Sequence, residues 1–329
     1  MSQVQLEGRN DAPENAILSV RNLGVSFRGE TSTVVAVSNV SFDVYQSEIL
    51  SIVGESGSGK TTIARSIMGL VRPTRGWVKY KGEDVASMNG AAFRSYLRDV
   101  QMIFQDPFES LNPRQDVFTT IEGPIRYLLN ERRGQQVYDI ASQVLMEVGL
   151  DPAEVMYRYP HQLSGGQRQR VSVARALASN PKLLLADEPI TMLDAAQRLN
   201  VLSLLRELKT KRKLSVVLIT HDLASARLLS DRTVVLYKGR AFEMGDTESV
   251  VTRPHHPYTE LILSAMPSLQ AAIPEGQGRM KVEATSIQSK GCVFRAQCNY
   301  ATTTCAEVEP ELAAKSHGRL AACHNPLNT

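Results

Sequence analysis

No apolar run in this chain approaches the roughly 18 residues needed to cross a bilayer, so a membrane-spanning helix is not expected. The opening segment, Met1-Ser-Gln-Val-Gln-Leu-Glu7, has no basic patch followed by an apolar stretch. A secretory leader is therefore not expected, and the chain is expected to remain in the cytoplasm. A strong excess of one charge is also missing. The formal net charge is only +3 and the basic residues are dispersed, which leaves no electrostatic case for nucleic acid. Cysteine is absent until position 292, where four residues cluster in the tail. In a reducing compartment such clustering favours a metal site over disulfides. No internal repeat, long coiled-coil insertion or basic groove is visible.

What is present describes a globular protein. The hydrophobic class makes up 43% and charged residues 22% of 329 residues, enough for one large core plus an appended module. Residues 1–16 are polar and read as a tail. Ile17–Phe27 and Val34–Val44 mix β-branched and aromatic residues with polar ones at near-alternate positions, the pattern of strands. Ile49–Val53 is a short apolar run ending in glycine, consistent with a buried strand. From Lys60 the pattern turns helical, with Ile63, Ile67 and Leu70 expected on one face. Residues from about 91 to 175 read as mostly helical. Leu183–Ala186 and Ser215–Ile219 are apolar strands of the buried parallel type, with a helix over Ala195–Lys209 between them, and Val234–Tyr237 reads as one more strand. Residues 266–291 hold Pro267, Pro274, Gly276 and Gly278 among polar residues and read as a linker.

Two motifs carry chemistry. Gly54-Glu-Ser-Gly-Ser-Gly-Lys60-Thr61 matches G-x-x-x-x-G-K-[ST], placed between an expected strand and an expected helix. Glycines let the backbone turn tightly, so that successive N–H groups point into one concavity. The following helix adds its positive end. Lys60 supplies a mobile charge for the β- and γ-phosphates, and the Thr61 hydroxyl a ligand for Mg²⁺. The second motif, Leu183-Leu-Leu-Ala-Asp187-Glu188-Pro189, ends a buried strand in two carboxylates. Ligand sites of parallel sheets lie at such strand ends. Asp187 suits Mg²⁺ and Glu188 suits polarisation of a water, a role typically worth about 10²–10⁴-fold in rate. ATP with Mg²⁺ is the ligand these residues call for.

Leu163-Ser-Gly-Gly-Gln167, opening a helix about 20 residues before the acid pair, resembles the signature of ABC-type ATPases. Gln105 in Ile-Phe-Gln-Asp-Pro resembles the Q-loop glutamine, Asp194 in Thr-Met-Leu-Asp the D-loop, and His221 in Leu-Ile-Thr-His-Asp the switch histidine. Thr191-Met192 replaces the commoner Ser-Ala. The resemblance spans about residues 17–265. It implies an α/β fold: a phosphate-loop ABC-type nucleotide-binding domain over 17–250, a helical subdomain over about 91–175, and a small Cys-containing extension. It implies Glu188, His221, Lys60 and Gln105 as catalytic residues. Nucleotide contacts are implied for Phe27, which would stack on adenine, and for Gly54, Glu55, Ser56, Gly57, Ser58, Gly59, Lys60, Thr61 and Thr62. Thr61, Gln105 and Asp187 are implied around Mg²⁺. Leu163, Ser164, Gly165, Gly166 and Gln167 would contact the ATP of a facing second ATPase chain, identical or different.

Phe104-Gln-Asp-Pro-Phe-Glu-Ser-Leu-Asn-Pro113 and Arg253-Pro-His-His-Pro-Tyr-Thr259 are similar to segments of the oligopeptide/dipeptide importer ATPases, a branch shared with nickel and some oligosaccharide importers. That resemblance makes residues 251–290 the importer-type segment and linker. The implied partners are membrane permease subunits and, indirectly, a solute-binding protein, at the cytoplasmic face of the cell membrane. A soluble remodelling ATPase and an exporter ATPase are alternatives. The tail, residues 291–329, carries Cys292, Cys298, Cys305 and Cys323 with spacing C-x₅-C-x₆-C-x₁₇-C. Some members of the branch carry a [4Fe–4S] cluster there. Four thiolates can complete such a cluster, the preferred reading here; the spacing is not the compact C-x₂-C of zinc ribbons, and a tetrahedral Zn²⁺ or unligated cysteines are the alternatives.

Overall fold

The structure is a computed structural model that describes residues 13, 15–29, 33–106, 110–191, 193–265, 290–315 and 318–328. Most of the expected tail over 1–16, the linker, Met192 and the centre of the Phe104–Pro113 segment lie outside the described residues.

Two sheets form the frame. The first is antiparallel, with strand order β2-β1-β4-β5: β1 is Ala16–Arg28, β2 Thr33–Tyr45, β4 Arg75–Tyr80 and β5 Glu83–Asp84. The second has eight strands in the order β11-β12-β10-β9-β3-β8-β7-β6. Here β3 is Ile49–Val53, β6 Val100–Ile103, β7 Leu183–Asp187, β8 Ser215–Thr220 and β9 Arg232–Tyr237, all parallel to their neighbours in this group. The remaining strands, β10 (Arg240–Asp246), β11 (Ala313–Ala314) and β12 (Leu320–Ala321), add on antiparallel. Every residue of β3, β7 and β8 is buried, which is why these strands are unbroken apolar runs rather than alternating ones.

The helices are α1 (Lys60–Ile67), α2 (Gly90–Asp99), α3 (Val117–Leu128), α4 (Gly134–Glu147), α5 (Pro152–Val155), α6 (Gly165–Leu177), α7 (Ala195–Arg212), α8 (Leu223–Leu229), α9 (Thr247–Thr252), α10 (Pro257–Ser264) and α11 (Thr304–Glu307). Helices α3, α4 and α6 bury Ile121, Ile125, Val137, Val144, Leu145 and Val171 in one core with Leu184 and Val216 of the sheet. A second core joins the antiparallel sheet to α1 and to the other face of β3, through Val20, Phe42, Ile52 and Ile63.

One expectation is corrected. Leu70 does not share the buried face of Ile63 and Ile67; it is 63% exposed. The helix stops at Ile67, and Gly69, at φ +72°, turns the chain away before Leu70. The mostly helical stretch also contains β6, whose four residues pair with β7.

Register places the site. Val53 lies opposite Thr220, Asp187 opposite Ile219, and Ile103 opposite Ala186. Four parallel strands therefore end level, and the loops that follow them meet at one edge.

Candidate active site

The Gly54–Thr61 loop joins β3 to α1. Its backbone is pinned where side chains would not fit. A Cβ on Gly54 would stand 2.3 Å from the Leu236 carbonyl oxygen. Gly59, the N-cap of α1, sits at φ +99°, and a Cβ there would stand 2.5 Å from the Ala36 carbonyl oxygen. Only glycine accepts both that conformation and that contact. Lys60 is buried and folds back over the loop, donating from Nζ to the carbonyls of Gly54 (2.7 Å) and Glu55 (2.8 Å). Burial pulls its ammonium below the ordinary lysine range, opposed by the charges of Glu188, Asp187 and Glu55. Ser58 is buried, with its carbonyl accepting from Gly239 N–H at 2.9 Å. Ser56 and Gly57 are exposed, while Thr62 lies in α1.

The acid pair follows β7. Asp187 is 2% exposed, and burial pushes its carboxyl up, against the Thr61 hydroxyl that donates to Oδ1 at 3.4 Å. Glu188 turns out of the strand with φ +46°, in the left-handed region that a non-glycine residue seldom adopts. Its N–H remains bonded to the Ile219 carbonyl at 2.9 Å. The turn aims its carboxylate across the strand ends. One oxygen lies 3.9 Å from Lys60 Nζ; the other accepts from Thr191 Oγ1 at 3.0 Å and Gln105 Nε2 at 3.4 Å, and lies 3.3 Å from His221 Nδ1. Gln105 comes from the loop after β6 and His221 from the loop after β8. Thr61, Gln105 and Asp187 also line a cleft of ≈ 590 Å³ with Arg65 and Arg175. Oxygen donors beside a buried, cation-seeking carboxylate suit Mg²⁺, and the glycine-lined amide loop beside Lys60 suits a polyphosphate.

Thr191 is a partner that the sequence reading passed over. Its position three residues after Glu188, across a turn, was the available signal.

The remaining residues stand apart from this cluster. Phe27, near the end of β1, pairs with Val34 and is 45% exposed. Leu163 is buried just before α6. Ser164 caps that helix: its Oγ accepts from Gln167 N–H at 3.2 Å, and Gln167 Oε1 accepts from Ser164 N–H at 2.9 Å. Gly165 opens the helix, and Gly166 lies against Gln197 of α7, which Asp194 caps at 2.8 Å.

In the tail, Cys292 and Cys305 are buried while Cys298 and Cys323 are partly so, and all four are thiols. They border one small cavity of ≈ 10 Å³ with His256, Phe294 and His324. Burial raises the Cys292 and Cys298 thiols and pushes Cys323 up to about 11. The donor set thus suits a soft metal in kind, whereas among the described residues no three such side chains are spaced to hold an ion.

A phosphate loop, an acid pair and a histidine at the ends of one parallel sheet define a nucleoside triphosphatase. The comparisons narrow the class. The ABC transporter family model matches residues 37–191, and the model for the oligopeptide/dipeptide transporter C-terminal region matches residues 242–305. The chain is 36% identical to the oligopeptide transport ATP-binding protein OppF of Haemophilus influenzae, over 93% of this chain and 96% of that one. It is 40% identical to OppF of Salmonella typhimurium over 85% of each chain. A dimeric ATP-binding cassette, MJ0796, solved with ADP and Pi, shares 29% identity at a TM-score of 0.64, covering 70% of this chain and 98% of that one. The chain belongs to the ATP-binding subunits of ABC transporters, in the oligopeptide/dipeptide branch, and is an ATPase. Among the described residues no helix is long and apolar enough to cross a membrane.

Proposed function

We propose that this chain binds Mg·ATP between the Gly54–Thr61 loop and a facing ATPase chain, and hydrolyses it to drive peptide import through membrane permease subunits at the cytoplasmic face. The observation that carries this reading is the convergence of Lys60, Thr61, Asp187, Gln105, Glu188 and His221 at four level strand ends.

Lys60 leaves the Gly54 and Glu55 carbonyls for the β- and γ-phosphates, while loop amides take the remaining oxygens. Phe27 stacks on adenine. Thr61, Asp187 and Gln105 would hold Mg²⁺, which would offset charge on the phosphates. Glu188, already oriented by Thr191 and His221, accepts a proton from the attacking water as the bond from the γ-phosphorus to its bridging oxygen breaks, leaving ADP and phosphate. His221 donates a ring N–H to the γ-phosphate. The Leu163–Gln167 segment and Asp194 act across the dimer, so ATP closes the pair and hydrolysis opens it. Peptides are the cargo because the C-terminal region matches that branch. The binding protein and permease select which peptide, and the same machinery would serve a nickel or oligosaccharide importer.

Glu188→Gln tests the central role. Turnover should fall about 10²–10⁴-fold while ATP binding persists and a closed dimer accumulates on size exclusion. Unchanged turnover would remove Glu188 from the chemistry. Co-purification with two polytopic subunits, and loss of labelled tripeptide uptake in a deletion strain, test the transport reading.

In the tail, Cys292, Cys298, Cys305 and Cys323 would hold a [4Fe–4S] cluster, with zinc as the alternative. The support is the resemblance to branch members that carry such a cluster, together with four thiols around one cavity, a donor set of the kind a soft metal takes. Hydrolysis needs no electron transfer, so such a group would serve structure or regulation. Anaerobically purified protein should be brown, and Cys298→Ser should bleach it. Colourless protein with stoichiometric zinc would replace iron, and metal-free protein would end the reading.

A further inference from the structure

Two hairpin turns in this chain are built alike. Lys81-Gly82 joins β4 to β5 and Lys238-Gly239 joins β9 to β10, and the flanking residues pair, Tyr80 with Glu83 and Tyr237 with Arg240. Both residues of each turn are left-handed, at φ +48° and +85° in the first and +44° and +78° in the second. Their surroundings differ. Gly82 is exposed, and a Cβ there would meet nothing within 4 Å. Gly239 is buried against the phosphate loop, and a Cβ there would stand 2.7 Å from the Ala36 carbonyl oxygen. The same oxygen excludes a side chain from Gly59.

Both main-chain polar groups of Gly239 are engaged at this junction. Its N–H donates to Ser58 O at 2.9 Å, and its carbonyl accepts from Ser38 N–H of β2 at 2.7 Å. A peptide unit is rigid, and in the trans form its C=O and N–H point opposite ways. Holding Ser58 O against the turn therefore directs the Gly59 N–H away from it. There it joins the N–H groups that open α1, which have no partner inside the helix. Lys60 bonds elsewhere, to Gly54 O and Glu55 O, so this clamp persists when Lys60 turns to a phosphate.

We propose that Gly239 is a positioning residue for the nucleotide: its turn clamps the Ser58–Gly59 peptide against β2 and so fixes the Gly59 N–H as a phosphate donor. This rests on the reading of the Gly54–Thr61 loop as the phosphate site. Gln105, Glu188 and His221 come from other loops, so the effect falls on ATP affinity and not on the hydrolytic step. Such coupling is reciprocal. If the clamp strengthens nucleotide binding, nucleotide strengthens the clamp by the same factor.

The test uses full-length protein and two variants. Gly239→Ala drives a Cβ onto Ala36 O, while Gly82→Ala imposes a similar left-handed backbone in open space. Gly239→Ala should weaken binding of a fluorescent Mg·ATP analogue and raise KM for ATP about three- to ten-fold, the worth of one neutral hydrogen bond, with kcat unchanged. Gly82→Ala should keep wild-type affinity. Hydrogen exchange of the wild type, read by mass spectrometry, needs no variant. Mg·ADP should slow exchange in the Lys238-Gly239 turn by about the same three- to ten-fold and leave the Lys81-Gly82 turn as it was. Wild-type affinity in Gly239→Ala, equal losses in both variants, a loss in kcat alone, or exchange in the turn indifferent to Mg·ADP would each overturn the proposal. Should Gly239→Ala not fold, the exchange result decides. Lys60→Ala separates the levels. If it loses nucleotide while Gly239→Ala binds normally, only the clamp fails; if Lys60→Ala itself still binds normally, the phosphate reading fails and takes this proposal with it.

Discussion

Asp187 holds two demands in one carboxylate. In the proposed site it must be charged to attract Mg²⁺, yet it is buried, and burial raises its pKa despite the Thr61 hydrogen bond and the Lys60 charge nearby. A carboxyl with a raised folded-state pKa contributes stability below its unfolded pKa and loses it as pH rises through the folded value. At neutral pH the ionised group therefore works against the fold. Asp187→Asn keeps the shape and an acceptor for Thr61 while removing the charge. Its thermal midpoint at pH 7.5 should exceed that of the wild type by about 2–4 °C, with hydrolysis lost. The gain should shrink as pH falls toward the carboxylate range, where the wild-type group protonates. Calorimetry at pH 7.5 and at acid pH checks both signs, and no gain at neutral pH would mean that the buried charge is fully compensated.

At the scale of elements, legibility followed burial. β3 could be bounded at Ile49–Val53 because both faces are covered and glycine ends the run. β4 (Arg-Gly-Trp-Val-Lys-Tyr) and β10 (Arg-Ala-Phe-Glu-Met-Gly-Asp) were not legible, since charges and glycine interrupt their alternation. The Glu243 in β10 is fully buried, a placement that only its partners in distant elements explain. The residues gathered around Glu188 were readable as motifs, because they end or follow a strand or open a helix. The bond from Thr191 to Glu188 and the grip of Gly239 N–H on Ser58 O were not, because they depend on how the chain turns or folds back. The start of α6 shows how a structural and a functional role separate. Ser164→Ala removes an N-cap, which costs about 1 kcal/mol. If Ser164 also meets ATP across the dimer, the loss should exceed that. The variant, placed in a Glu188→Gln background, should fail to form the ATP-trapped dimer on size exclusion while unfolding only a few degrees early. A trapped dimer of wild-type yield would restrict Ser164 to capping.

At the scale of the whole molecule, the tail is bound into the main sheet rather than appended to it. β12 pairs with β10, Ala322 N–H donates to Phe242 O at 2.9 Å, and Leu327 N–H donates to His255 O at 2.8 Å. Arg319 enters the interior beside Glu243, its Nη1 3.9 Å from the carboxylate and bonded to the carbonyls of Ser249 and Arg253. Glu243 accepts from the N–H groups of His255 (2.8 Å) and His256 (3.0 Å), the residues that lead into α10 and Tyr258. Removing one member of a buried pair leaves the other charge uncompensated, at a cost of about 3–5 kcal/mol. Arg319→Ala should show that loss in urea unfolding, and adding Glu243→Gln should recover part of it, because the stranded charge is then gone. The single variant should also weaken ATP binding, since β10, which Glu243 anchors, continues directly from Gly239, whose N–H holds Ser58 O of the phosphate loop at 2.9 Å. Loss of stability with intact ATP affinity would make the pair a fastening of the tail alone, whereas joint loss would make the C-terminal region a working part of the nucleotide site.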